Sequence, residues 1–146
     1  MQTVFLDFGS VTRGDIDRTI LEQATSPWTY HDNTAQEQVM KRIREAEIFV
    51  SNKVLLDRAA IFAANRLKLI CVAATGYNNV DLAATAERNI PVCNVRNYAT
   101  PSVAQHTLMF MLNFACRFTE YQQLIKRGDW QTSTYFCPLD FSVMEL

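Results

Sequence analysis

Between residues 3 and 95 short apolar runs alternate with amphipathic stretches, the pattern of a strand followed by a helix. "TVFLDF" (3–8) is apolar and ends at Gly9; "DIDRTILEQA" then sets Ile16, Ile20 and Leu21 on one helical face. "PWTYH" (27–31) reads as a second strand. It precedes "TAQEQVMKRIREA", where Val39, Met40 and Ile43 recur at helical spacing behind a cap at Asn33 or Thr34. "EIFVSN" (47–52) is a third strand, "DRAAIFAAN" (57–65) a short helix, and "LKLICVAA" (67–74) a fourth strand. That fourth strand carries no alternating polar residue after Lys68, the pattern of a central strand covered on both faces. "VDLAATAERN" (80–89) and "IPVCNV" (90–95) supply one more helix and strand, with Pro91 marking the sheet's margin. Repeats of this kind predict an α/β fold with a five-stranded, parallel, doubly wound sheet.

Beyond the sheet, one long helix is expected from Thr100 to about Arg127. Thr100 offers a capping hydroxyl, Pro101 suits the first helical position and Gly128 ends the run. "LMFMLNFACRF" (108–118) is apolar nearly all round, so one small core leaves part of it uncovered. Either the helix is packed wholly within its own domain, or its surplus meets a second domain or subunit.

Composition narrows the function classes. With 146 residues, 49% hydrophobic and 20% charged, the chain has the make-up of an ordinary globular domain. A net charge of −1 with scattered basic residues offers no grip on a phosphate backbone, so nucleic acid is not an expected partner. No run is long enough to span a membrane, and "MQTVFLDFG" lacks the build of a signal peptide, which makes the cytoplasm the expected compartment. Cys71, Cys93, Cys116 and Cys137 form no CxxC pair; they are expected to be reduced, small hydrophobes rather than metal ligands.

Candidate chemistry falls on the loops at the carboxyl ends of the strands, where doubly wound sheets bind ligands. "SNK" (51–53) and "ATGYNN" (74–79) place Asn52, Lys53, Thr75, Gly76 and Tyr77 along one edge of a common cleft. Lys53, as a surface lysine beside a turn, is the weaker choice. Gly76 is free to take a positive φ, and a helix starting near Asn79 would add free N–H groups and the positive end of its dipole. Together they would seat a small carboxylate on the amides of Thr75 and Gly76. The same residues also suit a tight turn at Gly76 with Asn78 or Asn79 as a plain helix cap.

"ATGYNNVDLAATAERNIPVCNVRNYATPSVAQHTLMFML" resembles the NAD-dependent D-isomer-specific 2-hydroxyacid dehydrogenases, above all their glycerate dehydrogenase and hydroxypyruvate reductase branch. The likeness runs through essentially the whole chain. The loop, the "N-I-P-V-x-N" strand and the "T-P-S-V-A-x-H" helix start carry it. It implies a flavodoxin-like substrate domain over 1–100, with the Thr75 and Gly76 amides on the substrate carboxylate. It implies an interface helix over 101–128, which dimerises the chain through residues 101–127 and brings Val103 near the nicotinamide end of the cofactor. Residues 129–146 would lead toward a nucleotide-binding domain that carries the catalytic Arg, Glu and His. Gln105 departs from the Glu often found at that position in the family.

The chain has four glycines, at 9, 14, 76 and 128, and none of their spacings fits the G-x-G-x-x-G turn that seats a dinucleotide. No catalytic residue is therefore expected among these residues. His106 is expected to be packed or at an interface, and His31 solvated at a strand end. The expectation is a substrate domain truncated before its nucleotide domain, belonging to an enzyme that moves hydride between NAD(P)H and a 2-oxo acid such as hydroxypyruvate or glyoxylate, and inactive alone. The alternative is a noncatalytic dimerisation or binding module, or half of a split enzyme.

Overall fold

The computed structural model describes residues 1–136 and residue 139. Cys137 and half of the stretch 129–146, expected to lead toward a nucleotide domain, lie outside the described residues. The chain divides into two compact units, Met1–Asn97 and a second that begins at Tyr98.

In the first unit β1 (Thr3–Phe5), β2 (Trp28–Tyr30), β3 (Ile48–Ser51), β4 (Leu69–Val72) and β5 (Val92–Asn94) form one sheet. The order is β2-β1-β3-β4-β5 and every pairing is parallel. This is the flavodoxin-like doubly wound order, which reverses direction between β1 and β3. β5 forms one margin, as Pro91 indicated; β4 is paired on both sides, but the central strand is β3.

The main core lies on one face of the sheet. Val4, Phe49, Ile70 and Val72 pack with Val39 and Ile43 of α2 (Gln36–Ile43), Ala60 and Ile61 of α3 (Arg58–Ala63) and Ala84 of α4 (Leu82–Glu87). All of these apolar side chains are almost wholly out of water, the condition under which burial contributes most. Asp57 caps α3 by accepting the Ala60 amide at 2.8 Å, and Asp81 caps α4 through the Ala84 amide at 2.9 Å.

Local expectations are corrected in three places. Helix α1 (Arg18–Ala24) buries none of its residues: Ile16 lies ahead of it and Ile20 is 67% exposed. What α1 offers the sheet is a cation, since the Arg18 guanidinium stands 4.8 Å from the Phe8 ring and 4.7 Å from the Tyr30 ring. Helix α2 begins after Ala35, not Asn33 or Thr34. Thr34 is buried and its hydroxyl donates to the Leu6 carbonyl, so it is spent on the sheet. Met40 also faces water, unlike Val39 and Ile43. Finally, Cys93 and Cys116 are exposed and Cys71 only half-buried, so these cysteines are not core hydrophobes.

The second unit overturns the single long helix. The run is broken into α5 (Thr100–Ala115) and α6 (Phe118–Arg127), followed by the short α7 (Asp129–Thr132). At the break Arg117 is left-handed, with φ 49°, while the Cys116 amide closes α5 on the Leu112 carbonyl at 2.9 Å. The Arg117 side chain then grips Glu120 in the first turn of α6, Nε to Oε1 at 2.9 Å, which offsets the cost of a left-handed non-glycine residue. Gly128 ends α6 as expected, with φ 79°. No described residue of this unit is buried, and Phe114 is 75% exposed. Trp130, Tyr135 and Phe136 are exposed as well.

Gly9 is the glycine this fold cannot replace. Its amide donates to the Asp32 carbonyl at 3.1 Å, and a Cβ on Gly9 would stand 2.8 Å from that same oxygen. Backbone has to move to admit it. Gly9→Ala is expected to destabilise the first unit by about 1–3 kcal/mol, read as a lower Tm in thermal unfolding followed by circular dichroism; an unchanged Tm would refute the close approach.

Candidate functional site

Parallel pairing delivers the exits of β1, β3 and β4 to one edge of the sheet. At the exit of β1, Asp7 is only 3% exposed, and its carboxylate accepts two amides from the loop after β3: Asn52 at 2.9 Å and Lys53 at 2.6 Å. The Asn52 side-chain amide donates to the Ser10 hydroxyl at 3.0 Å. Beside this knot lies an open depression of about 510 Å³, with Gly9, Ser10, Thr34, Lys53 and Leu55 in its wall. Sequence reasoning missed Asp7. Its one signal was an acid embedded in the apolar run "TVFLDF", where an ionised side chain needs strong donors to be kept.

The β4 exit is built differently. Thr75, Gly76 and Tyr77 are exposed. The loop is pinned to the end of β5: the Asn94 side chain donates to the Thr75 carbonyl at 2.7 Å, the Thr75 hydroxyl to the Val95 carbonyl at 3.0 Å, and the Val95 amide to the Ala74 carbonyl at 3.0 Å. Among the described residues no protein acceptor takes the Thr75 or Gly76 amide. The positive φ expected at Gly76 is not observed; only Gly14 and Gly128 among the glycines have one. A Cβ on Gly76 would meet only the Asn78 side-chain oxygen, at an ordinary 3.5 Å. Neither backbone conformation nor packing within this unit requires glycine there.

The helix end expected near Asn79 is also corrected. Helix α4 starts at Leu82, its capping position is held by the carboxylate of Asp81, and the Asp81 amide donates to the Leu56 carbonyl at 3.0 Å. An internal anion already occupies that end, so the helix dipole is not available to a ligand. Asn79 caps nothing: its side-chain amide donates to the Val54 carbonyl at 3.0 Å.

Lys53 enters the depression; Asn52, Thr75, Gly76 and Tyr77 are not in its wall. The two loops are nevertheless stitched together, the Leu56 amide donating to the Asn79 carbonyl at 2.8 Å. Val103 lies in the second unit, exposed on α5, with its amide on the Ala99 carbonyl at 2.9 Å. His106 is exposed on the same helix and meets Phe110 edge-on at 4.7 Å. Among the described residues no three His, Cys, Asp or Glu side chains gather as a metal site, and no helix is long and apolar enough to cross a membrane.

Residues 8–140 match the family model of the D-isomer specific 2-hydroxyacid dehydrogenase catalytic domain. The chain belongs to the D-isomer specific 2-hydroxyacid dehydrogenase family. It is 32% identical to a hydroxypyruvate reductase of Blautia hydrogenotrophica over 149 residues, covering 100% of this chain and 46% of that protein. It is 33% identical to a glycerate dehydrogenase of Methylorubrum extorquens over 153 residues, covering 99% and 45%. The chain thus spans about half the length of these relatives. A D-lactate dehydrogenase from Aquifex aeolicus, solved with NAD and lactic acid, matches 90% of this chain and 39% of its own with a TM-score of 0.74 at 20% identity, which speaks for the fold. Other structures of similar fold were solved with a cofactor: an acyclic imino acid reductase with NADPH and D-Arg, and a formate dehydrogenase of Staphylococcus aureus with NAD. Among the described residues the left-handed glycines are Gly14, in an isolated turn, and Gly128, at a helix end, and neither starts a phosphate-binding turn between a strand and a helix.

His31 departs from the expected solvated state. It is half-buried, and its pKa is lowered from the ordinary 6.5, first by burial and then by the Arg42 charge. The fold favours the neutral ring, so its contribution is complete above pH 6.5 and is lost as the pH falls through the lower folded value. His31→Gln is expected to flatten the loss of Tm on acidification below pH 6.5; superimposable curves of Tm against pH for the two proteins would refute this.

Proposed function

We propose that residues 1–97 are the substrate side of a D-2-hydroxyacid dehydrogenase, and that the Thr75 and Gly76 amides hold the carboxylate of a small 2-oxo acid. One observation carries the reading: two adjacent, exposed amides have no acceptor among the described residues, in a loop that Asn94 and Val95 keep in place. Gly76 supports it, because the fold has no steric need for glycine there and a ligand approaching the backbone does. A carboxylate bridging two amides is held by charge-assisted hydrogen bonds without a charged side chain. Tyr77 flanks that seat, while Asn52, whose backbone and side-chain donors are already engaged, helps to build the neighbouring loop. The hydroxypyruvate reductase and glycerate dehydrogenase relatives favour hydroxypyruvate or glyoxylate as the acid.

NAD or NADP is the proposed cofactor of the whole enzyme, and the family resemblance puts Val103 near its nicotinamide end. The contribution of residues 1–97 is to bind and orient the acid. The free thiols of Cys71, Cys93 and Cys116 suit a reducing compartment such as the cytoplasm.

Glyoxylate added to the 15N-labelled chain is expected to shift the Thr75 and Gly76 amide resonances. Gly76→Val should weaken that binding by at least about tenfold, the scale of one lost charge-assisted hydrogen bond, with Tm unchanged. An unresponsive wild-type loop would sink the acid seat, and a Tm that falls together with binding would reassign Gly76 to the fold.

The surplus apolar surface of α5 and α6 supports a second role, dimerisation through residues 101–127. Val103, Leu108, Phe114 and Ile125 are all exposed on helices with no buried residue, a surface that soluble chains cover. Sedimentation equilibrium is expected to return a dimer; a monomer at high concentration would refute it.

A further inference from the structure

Asp7 stands at the end of β1, where the strand order reverses, and is nearly sealed from water. A buried carboxylate is kept only where donors compensate it. Its donors, the amides of Asn52 at 2.9 Å and Lys53 at 2.6 Å, take one carboxylate oxygen each and come from the exit of another strand. The same strap of chain continues into the second loop. The Val54 amide donates to the Ser51 hydroxyl at 3.1 Å, and the Val54 carbonyl accepts the Asn79 side chain at 3.0 Å. Leu56 exchanges backbone hydrogen bonds with Asn79 and Asp81, at 2.8 and 3.0 Å. The loop from Thr75 to Asp81 is therefore held near its start by Asn94 and Val95 and at its far end by this strap.

We propose that Asp7 is a positioning residue for the acid seat: through the strap 52–56 it sets the place of the Thr75 and Gly76 amides, although it touches neither. The function assigned to Asp7 rests on the reading of those amides as the seat. Its physical basis is that a small-ligand site needs its donors held within a fraction of an ångström, and an exposed loop lacks the packing to do that alone. A lysine in the depression would likewise depend on Asp7 for its backbone position.

The test uses the full 146-residue chain with glyoxylate as the probe, in three variants: Asp7→Asn, Asn79→Ala and the two combined. Asp7→Asn keeps the shape but turns an NH2 toward an amide N–H, so one bond is lost and two donors are opposed. It is expected to speed hydrogen exchange at Asn52 and Lys53, to shift the Thr75 and Gly76 resonances without ligand, and to weaken glyoxylate binding by roughly three- to tenfold. Asn79→Ala removes the side-chain bond from the loop to the Val54 carbonyl, leaving the two Leu56 backbone bonds, and should weaken binding to a similar degree while leaving exchange at Asn52 and Lys53 unchanged. If both act through one strap, the double variant binds about as well as either single one, whereas independent effects would multiply. Multiplying effects, or binding unchanged in either single variant, would overturn the proposal. Should Asp7→Asn fail to fold, Asn79→Ala alone decides it. If the wild-type chain ignores glyoxylate, the acid seat falls; resonances of Thr75 and Gly76 that stay put in Asp7→Asn would then refute the strap separately.

Discussion

Parallel strand pairing is the constraint from which the rest follows. Each strand of a parallel sheet runs the same way, so the loops that leave β1, β3 and β4 must emerge along one edge whatever their sequences. That edge is where the chain spends its polar backbone groups. Asp7 binds the loop after β3, the Val54–Leu56 strap binds the loop after β4, and the end of β5 closes the row through Asn94 and Val95. These hydrogen bonds act together with the buried side chains of Leu6, Val54, Leu56 and Val80 to give the loops a defined shape.

Beside the Thr75 and Gly76 amides, those of Ala73, Val80, Asp81 and Val95 donate to internal carbonyls, and at the end of α4 Asp81 answers the helix dipole. In the seat proposed for the Thr75 and Gly76 amides, a carboxylate from outside would find what Asp7 and Asp81 find inside, N–H groups to accept from. The family to which the chain belongs acts on 2-hydroxy acids, and an acid seat built from main chain is chemically suited to ligands that share a carboxylate and differ elsewhere.

The second unit obeys a different logic. Its helices form from local signals, Pro101 at the start of α5 and Gly128 at the end of α6, yet none of their side chains reaches an interior. Helical geometry can be encoded locally, but stability for helices of this length comes from covering an apolar face. Residues such as Leu108, Phe110 and Phe114 supply that face.

Strand and helix order, the parallel sheet with β5 at its margin and the family likeness were legible in the sequence, because alternation of apolar runs and amphipathic stretches is a local property. So was the place of the loop after β4 at a strand exit. Other features depended on contacts between residues far apart. Thr34 looked like a cap until the Leu6 carbonyl claimed it; Ile20 looked buried although the helix it sits on is held through Arg18 instead. The break at Arg117 required a local left-handed residue that no glycine announced. Asp7, 45 and 46 residues from the amides it holds, was invisible for the same reason. Sequence by itself determined the order of strands and helices in the first unit and that the strand exits would gather; only the tertiary structure decided which donors on that edge are consumed internally, because hydrogen-bond partners are chosen by proximity in space and not by periodicity along the chain.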